Sequence, residues 1–404
     1  MVKVLKNFIN KVIQKKERKM MKEYFYKKEY KYIYLNNVTY KFSDTLIETF
    51  GTVMLYTSGI PLWLILVIYG LRFAITGFIT PLFMLISSKF GIAKSILISN
   101  VFSIVSAYLM LDGTNLNKNI IIFIFAMGLN GLANPAGDAL SSRYVETEHR
   151  GRFNSFVNIS KILGKALASC LVAWSVITDN TIILFLIITI CFVLQYIFIK
   201  QIDYKVENKP KIFKAAMKYI LKSNSRYKII YAFRTNHIIE RQFAPLYLYL
   251  VLKDFSLFSS IIIVSLLLQT ITITLVGKYT DKNINKTNNF VSIIKIAITG
   301  VYLFSKNKVA ISLNKTISDN FEKVYETSIQ TSIQNIIKES KDDDDFLSTV
   351  GQMSLCFTEL VVFAILAIIS KFIGEKILYI IFLLSIISTI GINLNTNRKK
   401  FMKN

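Results

Sequence analysis

The sequence is poor in the residues on which most site chemistry rests. It has three cysteines and two histidines in 404 residues. Cys170, Cys191 and Cys356 all fall in apolar stretches, with no metal-ligand spacing and no disulfide framework. No metal and no cofactor is therefore expected. No G-x-x-x-x-G-K-[ST] loop occurs, which excludes an ATPase built on that phosphate cradle. No Ser/His/Asp set is recognisable, and the acidic run Asp342–Asp345 has no second acidic motif to complete a two-metal transferase. The chain does not read as an enzyme. Strand-like alternation is absent, and prolines number five. Acids are scarce: 25 Asp and Glu against 49 Lys and Arg, a net charge of +24. That balance can signal nucleic acid, but the cations sit in particular loops between apolar runs, so membrane topology explains them and no nucleic-acid partner is expected.

What the sequence has in abundance is apolar length. It is 53% hydrophobic, with a mean hydropathy of +0.45, and runs long enough to cross a bilayer recur along it. Backbone groups in lipid must be satisfied internally, so the spans are helices and the fold class is all-α. Twelve spans are expected: 35–56, 61–86, 95–111, 119–141, 152–176, 181–199, 229–252, 256–276, 288–303, 309–333, 347–370 and 376–392. They divide into two six-helix bundles, 35–199 and 229–392. The linker 200–228 is basic, carries an amphipathic surface helix near 211–222, and reads as a loose tether. Residues 1–34 form a basic amphipathic N-terminus with no continuous apolar core, hence no cleavable signal peptide. They read either as a helix on an anionic lipid surface or as a basic tail. Residues 393–404 form a basic tail. Lys89, Lys94, Arg143, Arg150, Arg152, the linker and Lys278–Lys286 fall on the side of both termini, so both termini are expected in the cytoplasm of a cell-membrane protein.

Two inter-span loops carry a pattern. Gly277, Asp281, Lys282 and Lys286 stand between the eighth and ninth spans. Ser88, Lys89, Gly91 and Lys94 stand between the second and third, about 190 residues earlier. The former resembles the signature loop of the major facilitator superfamily, G-x-x-x-D-[RK]-x-G-[RK]-[RK], with Ile284 at its second glycine. In the latter, Ser88 occupies the place of the Asp. The resemblance implies two six-helix halves around a central cavity, and secondary transport of a small solute by alternating access, coupled to protons or another ion. It also implies that each loop packs against a helix start in the other half: Asp281 against the start of the fifth span with Arg150 and Arg152, and Lys89 and Lys94 near the acids before the eleventh. Membrane lipids are the remaining partner, and a monomer is expected. A protein of this fold that senses or assembles without transporting, or a lipid flippase, are the alternatives.

Polarity recurs at every third span. The first carries Asp44 and Glu48, the fourth Asn130, Asn134 and Asp138, the seventh Arg234, His237, Glu240 and Arg241, and the tenth Asp319, Glu322, Lys323 and Glu326. Arg72 and Glu359 stand isolated in the second and eleventh. The third, sixth and twelfth spans have essentially no ionisable core residue, and the ninth has only Lys295. A mid-bilayer charge costs about 2.5–3.5 kcal/mol on insertion scales, so this many charges do not persist facing lipid. They line a polar path, or they form structural ion pairs. The resemblance places spans 1, 4, 7 and 10 on the central cavity, where the carboxylates are expected to converge. His237 is open to two roles there, a proton relay or a hydrogen-bonded pore residue.

Overall fold

The computed structural model describes residues 28–45, 50–111, 118–144, 150–178, 181–202, 205–206, 211–222, 226–282, 284–339 and 343–397. Every regular element among them is helical: α1 Lys28–Thr45, α2 Gly51–Thr57, α3 Leu62–Ile79, α4 Leu82–Phe90, α5 Ile92–Leu111, α6 Ile120–Leu129, α7 Asn134–Tyr144, α8 Arg150–Thr178 and α9 Thr181–Lys200. Then follow α10 Ile212–Lys222, α11 Arg226–Leu252, α12 Phe255–Lys282, α13 Ile284–Phe304, α14 Lys308–Glu339, α15 Asp344–Ile373 and α16 Ile377–Asn397. The basic segment ahead of α1 lies outside the described residues.

The helix breaks follow backbone chemistry. After α2, the Gly59 N–H bonds the Tyr56 carbonyl at 3.0 Å and the Ile60 N–H the Leu55 carbonyl at 3.2 Å. This is a Schellman cap, with Gly59 at φ +85° and Pro61 just beyond it. The second predicted span breaks at Pro81 into α3 and α4, and Gly91, at φ +84°, turns α4 into α5. The fourth predicted span is interrupted by a 3₁₀ turn, Asn130–Ala133, just before Pro135, which has no N–H to continue the ladder. Two expectations need correction. The 277–282 stretch is not loop but the last turns of α12. And α1 begins at Lys28 rather than near 35, because Tyr30, Ile33 and Tyr34 are buried and the Tyr30 hydroxyl donates to the Tyr144 carbonyl at 2.9 Å.

Six stretches among the described residues are long and apolar enough to cross a membrane, the last covering α15 and α16 together. Helices α1, α11 and α14 fall outside that criterion because they carry polar faces that turn inward. Outward apolar stripes mark α5, α9, α13 and α16. On α9, Ile182, Leu186, Ile190, Val193 and Ile197 are exposed along one face, as a lipid-facing helix requires.

The extensive helix pairs are α3 with α15, α1 with α8, α8 with α12 and α11 with α16. Two of them join the N-terminal helices to the C-terminal ones, α3 with α15 and α8 with α12. A Cβ on Gly77 would lie 3.2 Å from the Cys356 Cβ, and one on Gly70 3.1 Å from the Phe363 Cβ, so α3 and α15 meet at close range. Within the first half, a Cβ on Gly164 would lie 2.3 Å from the Val38 carbonyl, so α8 touches the α1 backbone.

The described helix of the linker is packed rather than loose. Helix α10 buries Ile212 and Ala216, stacks Phe213 on Phe78 of α3 at 6.4 Å, and sets Tyr219 edge-on to Phe346 of α15 at 5.9 Å.

Candidate functional site

A cavity of about 290 Å³ lies between the halves. Helix α1 contributes Asn36, Asn37, Tyr40 and Lys41, α3 contributes Arg72, and the α6–α7 break contributes Asn130 and Asn134. Helix α8 adds Asn154, Asn158 and Lys161, α11 adds Arg234, Arg241 and Gln242, α14 adds Glu326, Gln330 and Gln334, and α15 adds Gln352. Its polar lining is mostly amides and cations, interleaved with apolar residues such as Ile33, Phe73, Ile96, Ile238 and Leu355, and Glu326 is the one carboxylate among the described lining residues. Glu326 is held by Arg241 at 3.6 Å and by Lys323 one turn away on α14.

The two ends of the cavity differ. At the end away from the termini the halves meet through one apolar cluster. Phe50 packs against Phe258, Tyr69 against Phe243, and Phe73 and Tyr69 stack on Phe363. A Thr52 hydroxyl donating to the Gln242 carbonyl at 2.8 Å and a Tyr56–Glu375 hydrogen bond cross the same seam. At the terminal end the crossing is polar. The Asn154 amide donates to Thr331 Oγ1 at 3.1 Å and Gln334 Oε1 at 2.8 Å, and the Asn158 amide donates to Thr327 Oγ1 at 2.8 Å.

A second set of charges is buried inside the C-terminal helices. Lys295 on α13, 2% exposed, sits 2.9 Å from Glu240 of α11 and 3.9 Å from Glu322 of α14. Glu240 also accepts from Thr299 at 3.3 Å and from the Ser385 hydroxyl. His237 lies 3.2 Å from Ser385 Oγ and 3.3 Å from Thr389 Oγ1, with its ring edge-on to Tyr325. Asp319 accepts from Ser265 at 2.7 Å and pairs with Lys315. Asp319 and Glu322 also line a small void of about 40 Å³ with Lys165 and Lys323.

The expected convergence of the carboxylates is therefore corrected. The structure brings Arg72, Asn130, Asn134, Arg234 and Arg241 to the central cavity. It turns His237, Glu240 and Glu322 toward α13 and α16, with Asp319 beside them facing α12. Glu359 is fully buried on α15, and neither of its carboxylate oxygens has a hydrogen-bond donor among the described residues. Asp44, Asp138, Arg150, Arg152, Gly277, Asp281 and Lys282 lie in helices, with side chains outside those described, and Glu48 lies outside the described residues.

At the terminal end Ser88 donates to the Leu85 carbonyl at 3.1 Å, and Lys89 and Lys94 are exposed, Lys94 lying over the Phe90 ring. Among the described residues these lysines form no ion pair with the acids before α15. Asp343 instead caps that helix, accepting from the Phe346 N–H at 3.2 Å, and Asp345 is buried in its first turn, where the helix dipole favours a carboxylate.

Sequence reasoning passed over Asn154 and Asn158, although their spacing of four sets them on one helical face. It also passed over Lys295 as a partner, because a lone cation in an apolar helix does not announce which neighbour it meets.

Residues 37–313 match the sequence profile of the Major Facilitator Superfamily. No curated protein matches the chain. Among solved structures, the human organic anion transporter MFSD10 (TETRAN) superposes with a TM-score of 0.64 at 9% identity, covering 90% of this chain and 98% of that one. A bacterial homologue of the iron transporter ferroportin, outward-facing, gives 0.66 at 11% identity over 91% and 98%. A variant of the E. coli fucose:proton symporter FucP gives 0.58 at 12% over 90% and 95%.

Proposed function

Since the chain belongs to the major facilitator superfamily, we propose that it moves a small solute across the membrane by alternating access, with 35–199 and 229–392 rocking as two bundles about the central cavity. The observation that carries this reading is the unlike closure of one polar cavity. An apolar, aromatic seam shuts one end, and a few amide–hydroxyl and amide–amide bridges cross the other. Each such bridge contributes about 0.5–1.5 kcal/mol, a difference two conformations of similar energy can exchange across. The cation bias of the loops supports the bridged end and both termini lying in the cytoplasm. The buried Glu240–Lys295–His237 set supplies groups through which transport is coupled to protons or another ion.

The test uses single cysteines in a background lacking Cys170, Cys191 and Cys356. A Thr52→Cys/Gln242→Cys pair, bridged by a bifunctional maleimide, locks the aromatic seam. Asn158→Cys at the other end should then react faster with a membrane-impermeant maleimide. Unchanged reactivity at Asn158→Cys, or simultaneous reactivity at both ends without the bridge, would rule out reciprocal opening.

A further inference from the structure

Two guanidiniums face the cavity from opposite halves without an anionic partner. Arg72 stands on α3 and Arg234 on α11, and both line the cavity. Arg72 lies over the Phe73 and Tyr69 rings, 5.1 and 5.8 Å from their centroids, and Arg234 over Tyr231 at 5.8 Å. Among the described residues neither makes an ion pair or a hydrogen bond, whereas neighbouring Arg241 pairs with Glu326 at 3.6 Å. Ring faces supply only part of what a guanidinium loses on leaving water.

Arginine is suited to two-pronged recognition of carboxylate or phosphate, which a bare guanidinium in an amide-lined space leaves unused. The volume stands at the lower end of small-molecule sites.

We propose that Arg72 and Arg234 are the recognition site for a small water-soluble organic anion, a carboxylate or phosphate ester. The proposal rests on the cavity being the solute site, as above. An anion bridging α3 and α11 joins the two halves through its own charge. The occupant is a soluble anion rather than a lipid, because beside apolar Ile33, Phe73 and Leu355 the walls carry Asn36, Asn130 and Gln352, amides that a long acyl chain would strand.

The test is binding by the full chain in phosphatidylcholine nanodiscs at matched ionic strength. The probes are benzoate, succinate and glucose 6-phosphate against benzamide, succinamide, glucose and benzylamine. Thermal stabilisation is read first, then titration of any probe that stabilises. At least one anion should stabilise while its neutral twin and the amine do not. Arg234→Gln should weaken that binding about 10- to 100-fold. Arg72→Gln should weaken it comparably. The proposal is overturned if no anion stabilises, if neutral twins, chloride or sulfate stabilise equally, if only added phosphatidylglycerol does, or if Arg72→Gln and Arg234→Gln leave binding unchanged. Variant-sensitive anion binding with no uptake of that anion into vesicles sinks the transport reading and leaves the site standing. Uptake of a neutral probe without anion binding does the reverse.

Discussion

Two regions of this molecule carry charge within the membrane-crossing part, and they use it differently. In the interior of the C-terminal helices, Lys295, Glu240 and Glu322 close on one another, Ser385 and Thr299 donate to Glu240, and His237 stands beside them on Ser385. In the central cavity, Arg72 and Arg234 rest on aromatic faces, and the polar surroundings are mostly amides and cations. Buried charges that satisfy each other hold helices together, besides offering the coupling groups proposed above. Charges left facing an open space are available to something that comes and goes. Both sets consist of ionisable residues in membrane helices, so the general rule that such residues mark function separates into two cases.

The comparison breaks most visibly at Lys295. Lys295→Met strands Glu240 in a site 2% exposed and should cost about 3–5 kcal/mol, read by thermal unfolding in detergent. Adding Glu240→Gln should recover most of the loss. A single variant as stable as the parent would mean the pair is not structural. Next comes the polar seam. Asn154→Ala should cost about 0.5–1.5 kcal/mol and raise maleimide labelling of a cavity cysteine from the terminal end several-fold, with little change at the aromatic end. Equal labelling changes at both ends would erase the distinction between the two closures. The smallest effect on stability belongs to Arg234→Gln, which should fall within about 1 kcal/mol of the parent because it gives up only a ring contact. If it destabilises as much as Lys295→Met, the cavity charges are structural too.

The fold was largely legible. Apolar runs, their breaks and the two patterned loops led to an all-helical chain of two halves, and Gly91 turned where a positive φ is required. The start of α1 was not, since its buried Tyr30 and Tyr34 stand among lysines and read as polar tail. The site was half legible. Arg72, Asn130, Asn134, Arg234 and Arg241 line the cavity, but Glu240 does not, although it is the immediate neighbour of Arg241. One residue along a helix is a rotation of about 100°, enough to move a side chain from the cavity to the opposite face against α13. Periodicity sets which residues share a face. Which face meets which neighbour depends on how the helices are rotated against each other, and the sequence of one helix does not carry that.

Helix α10 bears on how fast the molecule works. It lies with one ring on α3 of the first half and another on α15 of the second. Any parting of the halves at that end has to lift one of these contacts first, and any return has to seat it again. A ring pair of about 1 kcal/mol slows such a step about fivefold. If the halves rock as proposed, this connection acts as a clutch on the cycle, and its two aromatic residues, Phe213 and Tyr219, are where turnover would be tuned without touching the solute.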